Sequence, residues 1–146
     1  MRNSRRAGEA KWIVIAVIAL IAIIACYWYL SKPATQPDVD EGRVVADTFF
    51  TQIQNDQAVE AWQSTTAEFK SADGREAFLR LLKRRPFLQK PLEFESSKTI
   101  TLGEEDRTEY VFNSPDAPNA SIRVVIASES DTWKVDRLVV EPKDTN

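Results

Sequence analysis

The sequence predicts an α+β protein. One transmembrane helix comes first, followed by a single domain of about three helices packed on a four-stranded antiparallel sheet. Three observations carry this. Trp12 to Leu30 contain no charged residue. Asp38 to Arg85 place apolar residues at a helical period. From Leu92 the period falls to two, in runs divided by short turn clusters. Helices first and strands afterwards make an α+β domain rather than an alternating α/β one. Of the 146 residues, roughly 105 follow the apolar run with periodic pattern, enough for one core and too few for two.

The apolar run has 19 residues. As a helix it spans about 28 Å, close to the hydrocarbon thickness of a bilayer. In lipid the backbone must bond to itself, so a lone segment is helical despite its Ile and Val content. Trp12 at one end and Tyr27, Trp28 and Tyr29 at the other suit interfacial belts. Arg2, Arg5, Arg6 and Lys11 precede the run, and only Lys32 lies in the ten residues after it. The positive-inside rule then puts the N-terminus in the cytoplasm and the domain outside, with a bacterial inner membrane and the periplasm as the expected setting. Three rival readings compete, of which a buried soluble helix has the least support because the run is apolar on every side. A cleaved secretory signal has a shorter apolar core and a small-residue cleavage site. A lipoprotein signal is suggested by Ile23-Ile24-Ala25-Cys26, which resembles a lipobox and would make Cys26 an acylated N-terminus; Tyr-Trp-Tyr-Leu behind it is a poor flexible tether. The expected division is a cytoplasmic tail at 1–11, the transmembrane helix at 12–30, a linker at 31–37 and the domain at 38–143.

The linker reads SKPATQP, a short Pro-bearing spacer that holds the domain near the bilayer. Asp38 with Glu41 looks like a capping box opening the first helix. Val45, Phe49 and Ile53, widened by Ala46 and Phe50, form its buried stripe. Asn55-Asp56 breaks it. A second helix carries Ala58, Val59, Ala61 and Trp62. Asp73 with Glu76 looks like another capping box, opening a third helix with Phe78, Leu81 and Leu82 inward, ended by Arg85-Pro86. Four strands follow: Leu92 to Leu102, Thr108 to Asn113, Ile122 to Ile126 and Trp133 to Val139. Their short connections at Gly103–Asp106, Ser114–Asn119 and Glu129–Asp131 predict an antiparallel meander.

Composition narrows the function. Four of the 19 basic and one of the 22 acidic residues precede the apolar run, so the remainder carries a side-chain balance of −6. An acidic domain is not expected to bind nucleic acid. There is no histidine, which removes the commonest general base and metal ligand. No metal site or cofactor is expected. Cys26 is the one cysteine, so no internal disulfide forms. Glu104, Glu105 and Asp106 make an acidic turn and not an oxygen cage. Arg80, Lys83, Arg84 and Arg85 read as a solvated helix face. Asn119-Ala120-Ser121 is a glycosylation sequon that matters only in a eukaryotic secretory pathway.

Two stretches carry a family resemblance. One is Ala46-Asp47-Thr48-Phe49-Phe50 followed by Asp56 and Ala61-Trp62; the other is Trp133-Lys134-Val135-Asp136-Arg137-Leu138. Together with the element order, they resemble nuclear transport factor 2-like (cystatin-like) domains over about Asp38 to Glu141. The resemblance implies a cone, in which a long helix packs into a curved sheet and leaves an apolar pocket at the open end. Some members are enzymes, and others are non-catalytic envelope domains, so fold alone does not choose. The isomerases of that family use an Asp base with a Tyr donor. Tyr110 and Asp47 are the nearest counterparts here, with no motif to fix their geometry, and no catalytic residue is assigned.

The expected pocket lining is Phe49, Phe50, Trp62, Tyr110, Phe112 and Trp133, which equally suit a filled core. Val111, Val125, Leu138 and Val140 fall opposite the main apolar sets and form the expected partner face, for a homodimer or an envelope protein. The leading expectation is a bitopic, non-catalytic protein- or ligand-binding domain. The alternative is an enzyme or binding protein for a small hydrophobic molecule.

Overall fold

The computed structural model describes residues 15, 17–26 and 36–143. It divides into two units, the first ending at Ala34. In the first, Ile15 and residues 17–26 are helical, with Ile18, Leu20, Ile21, Ile23 and Ile24 exposed. Among the described residues no helix is long and apolar enough to cross a membrane. The described helical stretch covers only part of the Trp12 to Leu30 run. Trp12, Tyr27, Trp28 and Tyr29 lie outside the described residues. Cys26 is a free, exposed cysteine.

The second unit is an α+β domain. Helix α1 (Val39–Gln54) is capped by Asp38, whose carboxylate accepts from Val39 N at 2.9 Å instead of closing a box with Glu41. Its buried stripe is Gly42, Ala46, Phe49, Phe50 and Ile53; Val45 is only half-buried. Asp56, at φ 61°, turns the chain into α2 (Ala58–Gln63). The sequence shows no period for α3 (Ala67–Ala72), which is too short to repeat one; Thr66 caps it by accepting from Phe69 N. Helix α4 (Arg75–Arg84) starts behind Gly74, which makes no side-chain cap. Asp73 does not form the expected capping box. Its carbonyl instead receives the Trp62 indole N–H at 2.9 Å. Arg85 ends α4, and a single 3-10 turn (Pro86–Gln89) drops Leu88 into the core.

The sheet is a meander, β1 (Glu93–Leu102), β2 (Glu105–Ser114), β3 (Ala117–Glu129) and β4 (Thr132–Pro142), in the order β1-β2-β3-β4 with every pair antiparallel. Ser130 and Asp131 both have positive φ, which suits the twist of a two-residue hairpin between β3 and β4. Registers shift at Phe94/Ser96, Asn113/Ser114 and Val125/Ile126. Each such irregularity bends the ladder.

The core lies between α1, the short helices and one sheet face. Phe50 meets Phe112 edge-on at 5.0 Å, and Phe112 meets Phe94 at 5.8 Å. On the other flank Phe49, Phe69 and Phe78 form a triangle of rings at 5.8–6.4 Å. Offset and edge contacts of this kind add to the burial of the rings.

Candidate functional site

The bulge in β4 decides which residues face which way. Val125 pairs with Arg137 and Ile126 with Val135, leaving Asp136 as the extra residue. The inserted residue reverses the alternation. Leu138 then pairs with Val124 and Val140 with Ile122, so both join the core side. This corrects the expected partner face: Val111 and Val125 lie on the outer face, and Leu138 and Val140 do not share it. The signal was present, since the apolar residues at 133 and 135 are out of phase with those at 138 and 140.

The outer face is closed by charge. One row runs Lys98–Glu109–Val125–Arg137 across the four strands, and the next runs Ser96–Val111–Arg123–Val139. Glu109 is 4% exposed, with Lys98 Nζ at 3.1 Å and Arg123 at 3.9 Å. Arg123 also pairs with Glu141. Val125 is 1% exposed. The aliphatic stems of these basic residues cover apolar surface while their heads stay near water.

At the bulge, α3 is latched to β4. Thr66 N donates to Val135 O at 3.0 Å, and Thr66 Oγ1 donates to Asp136 Oδ1 at 2.8 Å. Arg107 pairs with the other Asp136 oxygen and with Glu68 and Glu105. Burial works against the Arg107 charge, but Asp136 and the two glutamates outweigh it and hold its pKa above the ordinary value. Glu129 lies nearby and accepts from Lys134 Nζ and Ala67 N, which lowers its pKa. These partners are all spoken for by one another, so the cluster is a structural clasp.

The expected pocket lining does not converge on one cavity. Tyr110 is fully buried against Gly42, its hydroxyl donating weakly to Asp38 O at 3.4 Å. Burial, with Asp38, Asp40 and Glu41 behind it, pushes its pKa up to about 12. Asp47 is half exposed and paired with Arg43 at 3.5 Å, so the two counterparts of the isomerase residues sit in different environments. Phe50 and Phe112 floor a cleft of about 270 Å³, over which Arg43 stacks on Phe94 at 4.5 Å. Trp62 packs against the core and lines neither this cleft nor the groove described next.

Phe49 and Trp133 do share one cavity. Together with Val44, Val45 and Val135 they line a groove of about 330 Å³ between α1 and the β3–β4 hairpin. A shallower depression of about 390 Å³ shares Val44, Val45, Thr132 and Trp133, so the two are continuous. Val44 is 64% exposed at its rim. Gln52 Oε1 is buried in the groove wall with no hydrogen-bond partner among the described residues. Sequence periodicity missed Val44 because it stands one residue off the stripe that packs inward. Among the described residues, no three His, Cys, Asp or Glu side chains are grouped to hold a metal ion. No protein-family model matches the chain, and no curated protein is significantly similar to it.

Proposed function

We propose that this is a single-pass membrane protein whose outward domain is a non-catalytic interaction module, with the groove between α1 and the β3–β4 hairpin as its recognition surface. The observation that carries this is the groove itself, an apolar surface of Val44, Val45, Phe49 and Trp133. Exposed contiguous apolar surface marks binding sites. The ionisable groups at its rim, Glu41, Asp131 and Lys134, stand apart on separate elements. An enzyme needs such groups to converge with perturbed pKa values. Anchoring is supported by the uncharged Trp12 to Leu30 run, its basic flank and the exposed isoleucines of its described part. A cone of the nuclear transport factor 2-like type is supported by helices that lead into a four-stranded meander bent by three irregularities.

A photoreactive residue at Thr132 of the full-length protein in native membranes tests this reading. The expected result is one defined protein adduct, lost when Val44→Glu places a charge in the groove and absent from a probe at Arg80. A second reading, a small hydrophobic ligand in the same groove, is favoured by the orphan acceptor at Gln52. That reading wins if Thr132 yields no protein adduct and native mass spectrometry finds a bound small molecule that Val44→Glu removes.

A further inference from the structure

The strand order leaves two edges, β1 and β4, and they are treated differently. The β4 edge is occupied. Val135 O accepts from Thr66 N, Val140 O accepts from the Arg85 guanidinium at 2.8 Å, and the Asp136 bulge breaks the ladder between them. The β1 edge is open. From Ser96↔Val111 to Leu102↔Glu105 its register to β2 is unbroken. Among the described residues, no hydrogen bond from outside β2 reaches the backbone of residues 96–102. That stretch, SSKTITL, holds no proline, glycine or acid. Its one charge, Lys98, is drawn inward to Glu109 and does not guard the edge. A regular strand of this length with half its N–H and C=O groups unpaired is a template for another strand.

We propose that the occupant is β1 of a second copy, paired antiparallel so that two domains share one eight-stranded sheet. The sequence of the strand favours itself as the partner. With Thr99 opposite Thr99, Ser97 faces Thr101 and Lys98 faces Ile100, a ladder of hydroxyl pairs with no like charges opposed within 96–102. Centring the pair on Lys98 sets Lys against Lys, and centring it on Ile100 sets Ser97 against Gly103 of the turn, where it loses its hydroxyl partner. Pairing of this kind is isologous and closes as a dimer.

The entry point of the chain agrees. Gln36 Oε1 accepts from Thr99 Oγ1 at 3.3 Å and Thr108 Oγ1 at 3.4 Å, so Gln36, just before α1, lies over the middle of β1 on the helix side. The two-fold axis of such a pair is perpendicular to the sheet and passes beside Thr99. It keeps the helix sides of both copies on one side, so Gln36 of each copy lies near the axis on the same face. Two anchors in one bilayer can then serve one paired sheet, and confinement to a membrane raises the effective concentration of the weak edge contact. This last limb rests on the anchored reading; the open edge and its register do not.

Single cysteines placed in full-length protein carrying Cys26→Ser, reconstituted in phosphatidylcholine vesicles and oxidised with copper phenanthroline, test the pairing. Opposed residues in an antiparallel ladder have Cα atoms about 4.5–5.5 Å apart, within disulfide reach. Thr99→Cys is expected to give roughly tenfold more disulfide-linked dimer than Arg80→Cys. Ser97→Cys and Thr101→Cys are expected to link to each other in mixed vesicles and not to themselves. Equal dimer at Thr99 and Arg80 overturns the proposal, and a maximum at Ile100→Cys overturns its register. Flotation of the same vesicles separates the two readings. Thr99 dimers in protein that does not float leave the edge pairing standing and remove the anchored reading.

Discussion

On the helix side of the sheet Tyr110 and Phe112 meet Gly42 and Phe50 of α1, ring against backbone and ring against ring. One residue along the same strand, Val111 and Glu109 face the other way and meet Arg123 and Lys98. Both faces are covered, one by shape and the other by a charge lattice. The difference is one of tolerance. Close packing is unforgiving of an added methyl group. A charge lattice that is partly wet has little net stability to lose, because attraction and desolvation nearly cancel.

Substitutions on each face put this contrast at risk. The largest effect is expected at Gly42→Ala. An added Cβ meets the Tyr110 ring at 2.6 Å from Cζ and Pro37 at 2.9 Å. The better helix propensity of Ala gains up to about 1 kcal/mol, and overpacking costs about 1–3 kcal/mol. A net loss in urea unfolding is expected, partly relieved when Tyr110→Phe removes the hydroxyl. No loss at Gly42→Ala means α1 does not rest on Tyr110 as described.

A second test of the helix side is alkaline pH. Tyr110 titrates at about 12 in the folded protein against 10.0 as its ordinary value. The folded state thus holds this proton more tightly than the unfolded chain does. Its contribution is complete below pH 10 and declines as pH rises toward 12, by about 1.4 kcal/mol per unit at most. Tyr110→Phe should flatten that decline in a pH series of unfolding midpoints. An identical slope in both proteins would refute the burial of the hydroxyl.

The smallest effect is expected on the outer face. Glu109→Leu leaves Lys98 half exposed and leaves Arg123 paired with Glu141, so no cation is stranded. Arg123 Nε and Asn113 Oδ1 already lack partners among the described residues. A change within about 1 kcal/mol of zero is expected. A loss of several kcal/mol would show that the lattice, and not only the core, holds the sheet.

The parts legible in the sequence were those whose signal is local. Asp38 as a cap, the stripe through Phe49 and Ile53, the break at Asn55-Asp56 and the four strands with short turns all depend on neighbours a few residues away. The groove was half legible. Phe49 and Trp133 were expected to line a pocket, but Val44 is off the inward stripe and Gln52 carries no signal in an apolar period. Helix α3 was hidden because six residues hold too little of a period. The resemblance to a cone-shaped family came from the same local features, so it gave no independent guide to which aromatic residues share a cavity.

The sequence by itself determined the α+β order, the antiparallel meander, the charge balance of the domain and the uncharged run at its N-terminal side. Each follows from periodicity or composition, which the chain carries without folding. Only the tertiary structure decided which face Leu138 and Val140 take, because one extra residue at Asp136 reverses the parity of everything after it. It also decided which edge is closed. Thr66 and Arg85 reach β4 from residues 69 and 55 positions away from the carbonyls they bond, Val135 and Val140. No contact of that range is written in a local pattern, and among the described residues none reaches the outer edge of β1.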